Sequence, residues 1–156
     1  MTQRKGASKR SAIPPEVLAA LNAGTLETAT LAEGLAVDFR YLLSQAAPEL
    51  SGTDLDLVRA EDGVTTRMRS AGELLQSRLG VASFDRFAGH SSDTVRGWAA
   101  YLIGTAPKLT LKQRLGKIRL LADDSHFGVR EWAWLAMRDR IAAEIDEAIQ
   151  LMTPWT

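Results

Sequence analysis

A phrase that occurs twice constrains this chain more than any other feature. Residues 94–99 read TVRGWA and residues 128–133 read GVREWA, so Val95, Arg96, Trp98 and Ala99 recur as Val129, Arg130, Trp132 and Ala133. The offset is 34 residues at every position. Self-similarity at a period of about 20–50 residues marks stacked supersecondary units, because each unit buries its apolar face against the next. The letters also carry a helical stripe: Val95, Trp98, Ala99 and Leu102 fall at i, i+3, i+4 and i+7. Val129, Trp132, Ala133 and Ala136 repeat it. No stretch alternates with period two over a useful length. An all-α fold of antiparallel helix pairs follows.

Punctuation along the chain agrees. Residues 1–13 are polar, basic and aperiodic, and read as a disordered arm preceding one domain over 14–156. Pro14-Pro15 opens a short helix that Gly24 ends. Thr30 and Glu33 form a capping-box pattern ahead of one longer helix, with Leu31, Leu35, Phe39 and Leu42 as its stripe and Pro48 as its stop. Residues 51–63 read as a loop with a helical turn. Helices are then expected over Thr65–Leu79, Ser83–Ala88, Asp93–Gly104 with Asp93 as cap, Leu109–Ala122, a second copy from Ser125, and Glu144–Met152. The final segment, TPWT, supplies no polar capping unit, so the last apolar face is expected to be covered by a protein partner or by further repeats.

Composition excludes several functions. The chain has no cysteine, which removes disulfides, thiolate nucleophiles and thiolate metal sites. No apolar run is long enough for a spanning helix, and the basic N-terminus lacks the apolar core of a secretory signal, so a cytoplasmic location is expected. His90 and His126 are 36 residues apart and are expected in equivalent inter-helix turns. Neither has a second ligand at metal spacing, and no HExxH, GxSxG or phosphate-cradling glycine loop occurs. No metal and no cofactor is expected.

The net charge of zero hides a segregated distribution. Residues 63–122 hold ten basic and three acidic side chains, whereas residues 16–62 hold two basic and nine acidic. Such asymmetry points to a polyanion partner, nucleic acid above all. Within LTLKQRLGKIRLLA, Lys108, Lys112, Arg114, Lys117 and Arg119 surround a stripe of Leu111, Leu115, Ile118 and Ala122. No acid lies between Lys108 and Ala122 to neutralise them. Arg67 and Arg69 extend the bias upstream. Arg96 and Arg130 read two ways: as a ladder of pairs along the stack, or as a regular row of phosphate contacts. Trp98 and Trp132 lie on the stripe and read as core. Trp134 lies off it, either packed on a neighbouring helix or lining a groove where it can stack on a base. Glu131 is the one carboxylate set among aromatic residues, fitted to stabilise a cation or to pair with an arginine.

The stretches TLAEGLAVDF, HSSDTVRGWAAYLIG and LADDSHFGVREWAW resemble the bacterial DNA alkylation repair family with HEAT-like repeats, the α-solenoid glycosylases that excise alkylated purines. The likeness spans residues 16–156. It implies a right-handed superhelical stack of helix pairs whose concave basic face holds duplex DNA, with this chain matching an N-terminal portion truncated at its C-terminal end. It also implies base excision without a metal or deep base extrusion. Carried over by position, Glu131 matches a family carboxylate and Trp134 is a nearby aromatic candidate for catalysis. Arg67, Arg69, Arg96, Lys108, Lys112, Arg114, Lys117 and Arg130 would contact the DNA backbone. A second family carboxylate would fall beyond Thr156, which leaves excision or mere sensing of lesions as the implied activities. A DNA-bound protein of this kind would be nucleoid-associated. A non-enzymatic α-solenoid scaffold for protein partners is the competing expectation from another class.

Overall fold

The computed structural model describes residues 3–156. Ten α-helices follow one another, with no strand among the described residues. They are α1 (Pro15–Ala23), α2 (Leu31–Ala36), α3 (Phe39–Ala46), α4 (Gly52–Leu55), α5 (Val64–Leu79), α6 (Phe84–Ala88), α7 (Asp93–Thr105), α8 (Leu111–Ala122), α9 (Phe127–Ala143) and α10 (Ile145–Met152). The fold is all-α, as the periodicity requires. Among the described residues no helix is long and apolar enough to cross a membrane.

Helix α7 lies at the centre, packed on α5 along one side and on α9 along the other. Its residues from Asp93 through Ile103 are all buried, and Trp98 is fully so. Two glycines allow the approach. A Cβ on Gly72 would stand 2.4 Å from that of Tyr101, and one on Gly97 would meet Met68 Cε at 2.4 Å and Trp132 Cδ1 at 2.9 Å. The pairs Met68–Gly97 and Gly72–Tyr101 advance together, so α5 and α7 run parallel, and Gly97–Trp132 with Gly104–Ala136 makes α9 parallel to both. The short turn 106–110 returns the chain as α8, which packs on α7, α9 and α10. One continuous apolar core runs from Leu21 to Ala148.

The two copies of the phrase begin with the same hydrogen bonds. Arg96 Nη1 donates to the carbonyls of His90 and Ser91, and Arg130 Nη1 donates to those of Asp124 and Ser125. Six and five residues upstream, each arginine ties the preceding turn to its helix. The helix caps follow the same 34-residue register: Ser92 accepts from Val95 N–H, and His126 accepts from Gly128 N–H. Ser92, not Asp93, therefore caps α7, and His126 corresponds to Ser92. The counterpart of His90 is Asp124. His90 Nδ1 accepts the Ser92 N–H at 3.0 Å, and the Asp124 carboxylate accepts the His126 N–H at 2.8 Å. The histidines share the kind of turn but not the position.

Two expectations fail upstream. The helix drawn from Leu31 through Ala47 is broken at Val37-Asp38, where both residues are extended. Asp38 accepts from Tyr41 N–H and starts a new helix, and its own N–H donates to Asn22 Oδ1 at 2.8 Å. The arm expected to be disordered is docked from Gln3 to Ile13, while Met1 and Thr2 lie outside the described residues. Glu33 is the anchor. Fully buried, its carboxylate receives Arg4 at 2.6 and 2.8 Å, Ala7 N–H at 3.0 Å and Ala29 N–H at 2.8 Å. The Arg4 hydrogen bonds, aided by those from Ala29 and Ala7, outweigh burial and hold its pKa down at about 2. Thr30 accepts from Glu33 N–H as the capping pattern requires, yet the return bond reaches Ala29 instead of Thr30.

Candidate functional site

A cleft of about 280 Å³ opens between α2, α5 and the first turns of α7 and α9. Its walls are apolar, with Phe39, Met68 and Trp132 inside and Leu31, Leu35 and Phe127 at the exposed rim. Three ionisable side chains line it: Asp93, His126 and Glu131. Asp93 is buried and committed, accepting Thr28 N–H at 2.8 Å and the Thr28 hydroxyl at 2.6 Å. His126 is committed at both nitrogens. Its Nδ1 accepts Gly128 N–H at 3.0 Å, so Nε2 carries the proton and donates to Thr28 O at 2.7 Å, with Asp93 Oδ2 at 3.5 Å. The ring stacks on Phe127 with centroids 5.0 Å apart.

Glu131 is different. It has no hydrogen bond or ion pair among the described residues, and it is exposed on α9. Among the described residues it is thus the one ionisable side chain of the cleft left free to accept a donor or face a cation. Neither Arg96 nor Arg130 pairs with it, although the sequence allowed that pairing. Trp134 does not enter the cleft. It stands 40% exposed, its ring centroid 6.2 Å from that of Trp155.

The eight expected phosphate contacts do not form one row. Arg96 is 8% exposed and fully engaged: besides the two carbonyls, Nε donates to Asp124 at 3.0 Å and Nη2 pairs with Glu27. Burial alone would lower its pKa, but Asp124 and Glu27 raise it. Arg96 is a clamp joining three turns, and the phosphate reading fails for it because no donor face remains. Arg114 is likewise internal, 1% exposed, with Nη1 donating to Ile103 O at 2.6 Å to close the end of α7. Desolvation lowers its pKa, and Nη2 stays buried without a partner. The sequence placed it on the charged face because a stripe of four apolar residues leaves the intervening position ambiguous. Arg130 spends one nitrogen on its carbonyls and remains exposed. Arg67 lies over the Phe39 ring at 4.7 Å, and it shares α5 with the exposed Arg69, away from α8.

What remains on α8 is coherent. Lys112 and Arg119 are seven residues apart on one edge of its outer face, and Lys117 lies on the other. Lys117 Nζ lies 5.5 Å from the Phe84 ring centroid, and the Arg119 guanidinium 5.2 Å from that of Trp155. With Lys108 in the preceding turn, none of the four has a carboxylate within 4.0 Å among the described residues.

No family model matches the chain, and no curated protein or solved structure matches it either. Sequence reasoning missed the Thr28–Asp93–His126 network and the Phe39 and Met68 walls. Thr28 lies in an aperiodic stretch, so only the folded chain, not spacing, brings it to a helix start 65 residues away.

Proposed function

We propose that this chain is a DNA-binding module of HEAT-like helical repeats, related in kind to the alkylpurine DNA glycosylases of base excision repair. The reading is carried by the unpaired cations of α8: Lys112, Lys117 and Arg119, with Lys108 beside them. Solvated charge on a helix is ordinarily balanced by neighbours at i+3 or i+4; Lys108, Lys112 and Lys117 have no acid there, and Arg119 makes no ion pair with Asp123, its i+4 neighbour, among the described residues. Phosphates are the partners such a strip fits, and the contact is sequence-independent. The parallel packing of α5, α7 and α9, with shared hydrogen bonds at the starts of α7 and α9, supports a stack of repeated units. A cytoplasmic, nucleoid-associated protein belongs to the same reading.

The cleft supplies the chemical half. An alkylated purine carries positive charge, and departure of the base leaves more on the sugar. Glu131, free among apolar walls, would stabilise either. Asp93 and His126 would hold the cleft's floor, since their hydrogen-bonding capacity is spent. The module excises or senses such bases, with Glu131 as the unpaired carboxylate of its cleft.

Duplex affinity measured across a salt series tests the binding. The logarithm of the association constant should fall linearly with that of salt, and Lys112→Gln with Lys117→Gln should reduce the slope by about 2. No duplex affinity at low salt would sink the reading. Release of methylated purine from alkylated duplex, abolished in Glu131→Gln with binding retained, tests excision. A second reading, a scaffold for an apolar peptide, draws on the exposed Leu31, Leu35 and Phe127 at the cleft rim. It predicts peptide capture in the cleft that salt does not weaken.

A further inference from the structure

A second cleft, of about 410 Å³, lies between the docked N-terminal segment, the α2–α3 corner and α5. Three guanidinium groups line it: Arg10 from the 3-10 turn Arg10–Ala12, Arg40 from the first turn of α3, and Arg67 from α5. Two carboxylates bear on them. Asp56 is paired with Arg40, and Asp38 uses its side chain as the cap of α3, accepting Tyr41 N–H at 3.1 Å. Arg10 and Arg67 have no carboxylate within 4.0 Å and no hydrogen-bond acceptor among the described residues.

Arg67 is the telling one. Its guanidinium is held over the Phe39 ring, half-buried, and its Nε is shut off from solvent without a partner. Desolvating a charged donor without giving it an acceptor is costly. The ring fixes the plane of the fork but accepts none of its N–H bonds. A fork fixed in this way is preorganised for an oxyanion, which planar guanidinium groups bind bidentately. The docked arm brings Arg10 to the cleft, and Glu33 holds residues 4–7 of that arm.

We infer that this cleft binds a phosphate group, with Arg10 and Arg67 as its principal ligands and Arg40, tied to Asp56, flanking it. Two unpaired positive charges match a phosphate monoester dianion better than a singly charged carboxylate. The site shares no residue with the α8 strip and does not rest on the reading of that strip. The phosphate comes either from the end of a nucleic-acid strand or from a small phosphorylated molecule.

Calorimetric titration of the full chain with inorganic phosphate, against acetate as control, decides the inference. The expected result is saturable binding at one site, weakened at least about tenfold by Arg10→Gln or Arg67→Gln and unchanged by Lys112→Gln with Lys117→Gln. Arg10 is exposed, so its variant keeps the test valid if Arg67→Gln disturbs the packing on Phe39. Absence of saturable phosphate binding, equal binding in Arg10→Gln, or equal binding of acetate overturns it. Short duplexes with and without a terminal phosphate identify the source. A gain in affinity from that phosphate, lost in Arg10→Gln, assigns a strand end, and binding of inorganic phosphate without such a gain assigns a small molecule. A duplex that does not bind in either form counts against the α8 reading alone.

Discussion

The starts of α7 and α9 share letters, register and first hydrogen bonds, yet they live in different environments. Val95 and Val129 are equally buried, as are Ala99 and Ala133. Trp98 is wholly enclosed, whereas Trp132 is half-buried against the cleft. Arg96 is sealed among Glu27, Asp124 and two carbonyls, while Arg130 caps its carbonyls from an exposed position. The cause is the neighbours. Helix α7 has α5 on one side and α9 on the other, but α9 packs on α7 along one side and leaves Glu131, Trp134 and Arg138 to solvent. Local letters set the hydrogen bonds of a turn, and position among the helices decides which residues stay free for chemistry.

The sharpest way to break that comparison is to exchange the differing letter inside the shared VR-x-WA frame, Gly97 against Glu131. Gly97→Glu places a Cβ against Met68 and Trp132 and buries a charge with no partner, and is expected to cost about 4 kcal/mol or more. Glu131→Gly removes an exposed side chain and costs about 1 kcal/mol through helix propensity alone. Urea unfolding of both variants reads the difference. Equal losses would refute the account of burial given for the two helices.

The arginines make the same point with smaller numbers. Arg96→Ala takes the charge partner from the part-buried Asp124 and the donor from two part-buried carbonyls, for a loss of about 3 kcal/mol. Arg130→Ala gives up exposed contacts worth under about 1 kcal/mol. A third comparison sets the arm against the body. Glu33 ionises near pH 2 in the folded chain against 4.5 ordinarily, so its contribution is complete above 4.5 and is lost as pH falls from there toward 2. Glu33→Gln is expected to lower stability by about 2 kcal/mol at neutral pH and to abolish that acid window. Protease nicking within residues 3–13 should quicken in the same variant.

Local signals carried most of the helix boundaries. Pro15, Gly24 and the Thr30 cap all act within a few residues of the ends they define. The break at Asp38 escaped because Leu31, Leu35, Phe39 and Leu42 form an unbroken helical stripe on paper. In the fold, Leu35 is exposed and Phe39 belongs to the next helix. The docked arm escaped for a different reason: its composition is that of a disordered tail, and the buried acid that orders it lies 26 to 29 residues away. On the site, Glu131 was legible as the odd letter in a repeated phrase. Its apolar surroundings were not, since Phe39 and Met68 reach the cleft from other helices.

The smallest expected effect exchanges the turn before α7 for the turn before α9. His90 and Asp124 do one job, accepting the N–H two residues on, but a histidine does it only while Nδ1 is unprotonated. Burial lowers the His90 pKa below 6.5, and the charges of Arg96 and Arg86 lower it further. A base depressed in the folded state binds its proton more readily when unfolded, so stability is full above about pH 6.5 and declines as pH falls through 6.5 toward the folded value. His90→Asp puts the α9 solution into the α7 turn, where an ionised carboxylate also faces Arg96. Stability at neutral pH should change by less than about 1 kcal/mol, and the decline just below pH 6.5 should shrink. Thermal unfolding of both proteins between pH 7 and pH 5 measures it. An undiminished slope in His90→Asp would remove His90 as the source of that window.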